Sequence, residues 1–164
     1  MDRRTFLRSS ASVASVSAIA GCSALSSGSS DYTFENAGDD AWETWDFQTQ
    51  GGRFVAGGRF RLEPGEWTSQ GFSSAINIRL TYDFNITGGN GVDFYIIDGD
   101  EMEDFEERDD PNFDFSDQIE GIGAASTDVT SPEYAVILDN TQFGEMGTGE
   151  NTSSGTLRLE GQPL

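Results

Sequence analysis

The sequence contains no histidine and a single cysteine, Cys22. Ser-His-Asp and Cys-His catalysis need an imidazole base, so the usual forms of both are excluded. The common zinc sites, which are built from cysteine and histidine, are excluded for the same reason. A lone thiol also makes no disulfide within the chain. Catalysis by carboxylates is not excluded in this way.

Lysine is also absent, and all nine basic residues are arginines. A Walker-type phosphate loop needs its lysine, and a formal net charge of −20 opposes binding to nucleic acid. Beyond residue 21, six arginines stand against 28 acidic residues, and self-repulsion at this density opposes the compact state. At about 1 M salt the Debye length is only about 3 Å, so we expect the chain to be suited to molar salt.

An acidic chain can also be a disordered one. Here the acids are interleaved with aromatic and aliphatic residues, which make up a packed core in globular proteins. The composition resembles that of proteins from halophilic archaea. We therefore predict a folded, halophilic protein.

The N-terminus has no apolar run long enough to cross a membrane. Residues 9–20 are a weakly apolar stretch of about a dozen residues, whereas a spanning helix needs roughly 20. The stretch follows Arg3 and Arg4 and leads to Ile-Ala-Gly-Cys, ending at Cys22, so it fits the apolar region of a signal peptide. Arg3 and Arg4 resemble a twin-arginine export signal, and the four residues ending at Cys22 resemble a lipobox, in which the cysteine takes a lipid. The alternative is a poor signal peptide with an incidental cysteine.

These features predict three segments. Residues 1–21 are a signal peptide, disordered or helical; residues 22–30 are the lipidated Cys22 and a flexible Ser/Gly tether; residues 31–164 are one folded domain. The expected location is the outer face of the cytoplasmic membrane, with the membrane as a partner through the lipid. One acyl chain holds a protein only marginally, so stable anchoring needs a second lipid or contact.

The folded part has the pattern of a β-protein. Residues 76–86 alternate apolar at even positions with polar at odd positions, which predicts a strand with one buried and one wet face. The Gly-rich turn 87–91 follows, and 92–97 is a second apolar run. Together they predict a β-hairpin.

Six further strands are expected, at 42–49, 53–56, 59–62, 66–72, 133–138 and 155–160. The run 133–138 is predicted to be central. At the start of the acidic segment 98–117 the spacing predicts one helical turn, with Met102 and Phe105 facing the core. Short strands without long helices favour an all-β fold, an antiparallel, jelly-roll-like β-sandwich of about eight strands.

Three stretches carry a family resemblance: Phe60–Trp67, Gly91–Asp98 and Tyr134–Asn140. They are similar to the jelly-roll sandwich of Golgi-dynamics (GOLD-type, emp24-like) domains and of bacterial pre-peptidase C-terminal domains. That resemblance implies a non-catalytic module for protein, lipid or carbohydrate contact, with no catalytic set to transfer. It covers most of residues 45–160.

The acidic residues offer two candidate sites, one for calcium and one for glycoside hydrolysis. The acids at Asp98, Asp100, Glu101, Glu103 and Asp104 supply the oxygen ligands that calcium prefers, but they lack the spacing of an EF-hand, and a solvated loop is the favoured alternative. A pair of carboxylates for glycoside hydrolysis is always available among so many acids, so that pattern has no specificity.

Two polar and three aromatic positions complete the candidates. Asn85 and Asn151 match the N-glycosylation pattern, and Asn85 is predicted to face outward. Trp45 is expected in the core, while Trp42 and Trp67, near turns, are the expected exposed pair, which would mark an interaction site.

Three hypotheses for function follow. The first is a membrane-anchored extracytoplasmic binding module of a halophile, non-catalytic, with no cofactor and a protein or glycan ligand. The second is a small carboxylate-dependent hydrolase, which needs a deep cleft with two close acids of raised pKa. The third is a structural subunit of an envelope or transport assembly, which a flat uncharged edge strand would favour.

Overall fold

A computed structural model describes residues 32–36, 41–143 and 151–164. The predicted export signal at Arg3 and Arg4, the lipidation site Cys22 and the tether lie outside the described residues, so their roles stay predictions. Within the described ranges, no helix is long and apolar enough to span a bilayer. The described strands are β1 (Tyr32–Asn36), β2 (Trp42–Gln50), β3 (Arg53–Leu62), β4 (Trp67–Ser74), β5 (Ile78–Gly88), β6 (Val92–Asp98), β7 (Phe115–Ile119), β8 (Ile122–Val129), β9 (Glu133–Asp139) and β10 (Ser153–Pro163).

The predicted antiparallel β-sandwich is confirmed. Sheet A has the order β1-β4-β9-β6-β7, and sheet B has the order β2-β3-β10-β5-β8. Every described strand pair is antiparallel. β9 lies in the middle of sheet A, as its uniformly apolar sequence predicted.

The described part of the chain contains ten strands rather than about eight. β1, β7 and β8 are absent from the strands predicted from the sequence. The runs expected on either side of Gly57 and Gly58 are one strand, β3, because the glycines continue the extended chain instead of turning it.

The predicted hairpin is wrong, although both of its strands exist. β5 pairs with β10 and β8 in sheet B, whereas β6 pairs with β9 and β7 in sheet A. The turn between them therefore crosses from one sheet to the other, with positive φ at Gly89 and Gly91. The reason lies in burial: β5 has one wet face, but residues 92–97 of β6 are buried on both faces, which suits a central strand of a covered sheet.

The main core lies between the sheets. The buried alternation of β5 supplies Ile78, Leu80, Tyr82 and Phe84, and β6 faces them with Phe94 and neighbouring apolar residues. Ring contacts such as Tyr82–Phe94, with centroids 4.7 Å apart, link the two sheets across this core.

A second cluster covers the outer face of sheet A. A short 3-10 helix (Gly99–Glu101) leads into α1 (Met102–Glu107), and Met102 and Phe105 turn inward as predicted. They pack on Tyr95, Ile97 and Ile137 of the sheet. Sheet A is thus covered on both faces at this point, while the outer face of sheet B carries exposed polar side chains.

Candidate binding groove on the outer face of sheet B

The outer face of sheet B is a ladder of cross-strand rows. In one row, Gly57 of β3 lies between Asp46 of β2 and Arg158 of β10, and Asp83 of β5 continues the row. The side chains of Asp46, Arg158 and Asp83 are exposed. The next row has the same strand order and consists of Thr44, Arg59, Thr156 and Asn85.

A groove of about 380 Å³ lies where β2, β3 and β10 meet. Gly57 and Gly58 belong to its lining, so no side chain of these two residues fills it. The remaining lining residues are Thr44, Asp46, Gln48, Val55, Ala56, Arg59, Thr156, Leu157 and Arg158.

The two glycines are required by close backbone approach. A Cβ on Gly58 would collide with the carbonyl oxygen of Thr44 on β2, and a Cβ on Gly57 would collide with the carbonyl oxygen of Leu157 on β10. On the β2 side, an irregularity in register between Trp42 and Thr44 accompanies the contact. The strands close on β3 here because β3 has no side chains in the way.

More of the groove surface comes from carbon atoms than from nitrogen and oxygen, but its exposed polar groups are suited to hydrogen bonding. Its exposed side chains include a carboxylate, an amide, two hydroxyls and two guanidinium groups, which together offer both donors and acceptors. No aromatic residue lines it. The Thr44 hydroxyl accepts a hydrogen bond from the backbone N–H of Arg59 at 3.0 Å, which fixes one rim. The groove can therefore hold a polar ligand through side-chain hydrogen bonds.

Five of the six arginines beyond residue 21 lie on sheet B. Three of them form ion pairs on the surface: Arg61 with Glu63 at 2.9 Å, Arg79 with Asp128 at 2.8 Å and Arg158 with Glu160 at 3.1 Å. Such exposed pairs contribute little to stability. The guanidinium groups of the other two, Arg53 and Arg59, form no ion pair within the described part of the chain.

A pair of neighbouring acids lies on the opposite side of the molecule. Asp93 of β6 lies directly opposite Asp139 of β9 in sheet A, and both are buried. Burial raises the pKa of Asp139, against the lowering effects of hydrogen bonds from Thr141 and the charge of Arg108. The Arg108 guanidinium lies 3.6 Å from the Asp139 carboxylate.

That pair does not form the cleft that a hydrolase needs. The side chain of Asp139 has no solvent exposure, so neither substrate nor water reaches it in this structure. Arg108 packs over the rings of Phe105 and Phe143, at 4.5 and 4.6 Å from their centroids. The arrangement is that of a buried ion pair that ties the end of α1 to the sheet.

Two of the five acids that could bind calcium, Asp98 and Glu101, have hydrogen-bond partners within the protein. Asp98 accepts hydrogen bonds from the Asp100 backbone N–H at 3.0 Å and from the Ser131 hydroxyl at 2.5 Å. Glu101 accepts one from the backbone N–H of Asn112 at 3.1 Å. In the described ranges, no three acidic side chains come close enough together to hold a metal ion. These residues shape the loop between β6 and α1.

The predicted exposed tryptophan pair is wrong. Trp42 and Trp67 are both half-buried. Trp42 packs edge-on against Trp45, with ring centroids 4.4 Å apart, and its indole N–H donates to Thr68 at 3.0 Å. Trp67 packs in the second cluster against Phe105. Trp45 packs against the main core as predicted.

The two glycosylation candidates are on the surface. Asn85 faces outward on β5, as its place in the alternation predicted, and lies beside Thr156. Asn151 is exposed, and its carbonyl accepts from the Asn140 amide at 2.9 Å. Whether either carries a glycan stays a prediction.

Asn140, the last residue of the stretch Tyr134–Asn140, has a structural role. Its buried amide also donates to the carbonyl oxygens of Leu62 and Glu63, both at 3.2 Å. One side chain thus ties the end of β3 to the start of the last strand. This link between β3 and the last strand was not predicted from the sequence, in which the stretch Tyr134–Asn140 carried only a family resemblance.

The groove was also missed from the sequence. Its one local signal is Gly57-Gly58 inside an alternating strand, since glycine within a strand often marks a close backbone approach. Gly57 and Gly58 also resemble a break between two strands, whereas they lie within the continuous strand β3.

No protein-family model matches this sequence, and no curated protein sequence matches it. Among solved structures, the chain is similar to a carbohydrate-binding module of family 4, with 10% identity, a TM-score of 0.36 and coverage of 81% of this chain and 86% of that one. It is similar to the same degree to a family 29 module complexed with cellulohexaose, with 10% identity, a TM-score of 0.36 and coverage of 81% and 93%. Likenesses this distant carry no argument about the ligand.

Proposed function

We propose that this protein is a non-catalytic binding module that holds a glycan in the groove of sheet B. The observation that carries the proposal is the groove itself: an open depression between three strands, floored by two glycines and rimmed by hydrogen-bonding side chains. Sugar hydroxyls each donate and accept, and the rim supplies partners of both kinds.

The groove favours a glycan over an apolar peptide. Specific protein contacts usually have an apolar or aromatic centre, whereas here only three of the eleven lining residues, Val55, Ala56 and Leu157, have apolar side chains. Of these three, only Val55 belongs to the exposed residues, with 38% of its surface accessible. A ligand that combines hydrogen bonds with contacts between carbon atoms, as a sugar ring does, agrees better with this lining.

A bulky substitution tests the groove. Thr156→Trp places an indole at the groove wall, and we expect it to abolish binding in a glycan-array screen in molar KCl. Thr81→Trp is the matched control, because Thr81 is also an exposed threonine of sheet B but lies outside the groove lining. If Thr156→Trp and Thr81→Trp bind equally well to a glycan that the unsubstituted protein binds, the proposal is contradicted.

We further propose that the module is displayed on the outer face of the cytoplasmic membrane by a lipid on Cys22, after export directed by Arg3 and Arg4. Cys22→Ser should move the protein from the membrane fraction to the soluble fraction. Replacement of both arginines by lysine should stop export and leave the precursor inside the cell. A membrane-bound Cys22→Ser protein would rule out the lipid anchor.

A second candidate function is supported by one edge strand. β8, at the edge of sheet B, carries no charge from Ile122 to Thr127, and Ile122 is 84% exposed. An uncharged edge is open to pairing with another strand, as a subunit of an assembly would need. Ile122→Lys should then lower the assembled fraction in sedimentation in molar KCl, while Ile76→Lys, at an exposed position outside the strands, should not.

A further inference from the structure

We infer that the ligand of the sheet B groove is an acidic glycan whose carboxylates bind Arg59 and Arg158. This inference rests on the proposed function and adds the chemical class of the ligand. It starts from the distribution of charge over the molecule, which the fold makes strongly uneven.

The ratio of acids to arginines differs between the two sides of the molecule. Residues 98–120 contain 12 acids and one arginine, Arg108, and their helix packs on sheet A. The other five arginines beyond residue 21 lie on β3, β5 and β10 of sheet B. The strands of sheet B also carry five acids, Glu43, Asp46, Asp83, Asp128 and Glu160. In a chain with a net charge of −20, this sheet is therefore close to neutral and holds most of the arginines.

Of the two arginines in the groove lining, Arg158 pairs with Glu160, whereas Arg59 has no acidic partner within the described part of the chain. The lining also contains one carboxylate, Asp46. Arg59 lies between the hydroxyl residues Thr44 and Thr156 in its cross-strand row and forms no ion pair in the described chain. Its donors are therefore available to a ligand.

The positions of the two arginines suit one oxyanion. Arg59 lies opposite Thr156, and Arg158 is two residues further along β10. Diagonal neighbours of this kind have side chains about 7–8 Å apart at their bases, within reach of long side chains. Arg158 is positioned by Glu160 at 3.1 Å and keeps further donors free, because a guanidinium has five.

Salt does not remove this kind of recognition. At about 1 M salt, long-range repulsion between the acidic protein and an anionic ligand is screened within about 3 Å. A guanidinium–carboxylate contact is short-ranged and often bidentate, so its geometry persists when the long-range field does not.

The test compares one oligosaccharide in two charge states. Calorimetry in molar KCl uses the full chain with Cys22→Ser, titrated with oligogalacturonate and with its neutral methyl ester. We expect the free acid to bind at least about tenfold more tightly than the ester. Arg59→Gln should remove most of that preference, and the control Arg79→Gln, an exposed arginine outside the groove, should retain it.

The outcomes separate this inference from the proposed function. Equal binding of acid and ester, both abolished by Thr156→Trp, would leave the glycan groove standing and overturn the acidic ligand. An equal loss in Arg59→Gln and Arg79→Gln, or no binding of the free acid, would also overturn the inference. Binding to anionic but not zwitterionic phospholipid vesicles that depends on Arg59, without binding of oligogalacturonate, would replace the glycan by a membrane surface.

Discussion

Replacement of Arg108 by alanine would leave the buried Asp139 carboxylate without its charged partner. The carboxylate side chain has no solvent exposure, the guanidinium is 29% exposed, and the two groups are 3.6 Å apart. Arg108 also takes a left-handed backbone conformation, with φ of 59°, to place its side chain there.

The size of the effect follows from this geometry. At an effective dielectric constant of 20, unit charges 3.6 Å apart attract by about 4.6 kcal/mol. Partial exposure of Arg108 lowers this value, and loss of its contacts with the rings of Phe105 and Phe143 adds about 0.5–1 kcal/mol. We expect Arg108→Ala to lower the free energy of unfolding by about 3 kcal/mol at neutral pH.

Asp139→Asn should cost much less, within about 1 kcal/mol, because the partly exposed Arg108 can be hydrated and the hydrogen bond from the Thr141 N–H can be kept. The double variant should be more stable than Arg108→Ala alone. A larger cost for Arg108→Ala than for Asp139→Asn or the double variant would show that the cost arises from an unpaired buried charge and not from lost packing alone.

The pH dependence gives a further check. Burial raises the folded-state pKa of Asp139 above the ordinary value of 3.8, and loss of Arg108 raises it further. The contribution of such a group to stability is present at low pH and is lost as pH rises through the folded-state pKa. The destabilisation by Arg108→Ala should therefore shrink on acidification.

Urea unfolding at fixed molar KCl, followed by tryptophan fluorescence, measures all of these differences. A cost below about 1 kcal/mol for Arg108→Ala, or an equal cost for Asp139→Asn, would refute the reasoning.

Three further predictions follow from composition and packing. Lowering salt from molar to millimolar should unfold the protein, as followed by near- and far-UV circular dichroism; unchanged spectra would contradict a halophilic design. Burial and a hydrogen bond to Asp117 raise the pKa of Tyr82. The neutral phenol therefore supports the folded state up to about pH 10, and this stability is lost as the pH rises further. Tyr82→Phe should reduce this alkaline loss in urea titrations. Gly161→Ala should cost about 1–3 kcal/mol, because its Cβ would collide with the Phe54 ring, and a Phe54→Leu background should reduce the cost in the same unfolding assay.

Much of the strand content could be predicted from local pattern. The alternation in β5 identified its buried and wet faces correctly, since side chains on a strand point to opposite sides in turn. The inward positions of Met102 and Phe105 followed from helical spacing in the same way.

Strand pairing could not be predicted in this way. A Gly-rich turn between two apolar runs is compatible with a hairpin and with a crossing between sheets. The choice depends on how many faces of β6 are covered, and α1, which helps to cover the second face, follows β6 in the chain. The groove was missed for a related reason, because its walls come from β2, β3 and β10, the last of which is far away in sequence.

The sequence by itself determined which side chains the protein lacks and the sign of its charge: no imidazole, no lysine, one thiol at Cys22 and a large excess of acids. These are properties of composition and need no fold. Only the tertiary structure decided that five of the six arginines beyond residue 21 lie on sheet B and that Asp139 is buried on β9 of sheet A. The physical reason is that a residue's burial and charged neighbours depend on contacts between distant strands, which local alternation does not specify.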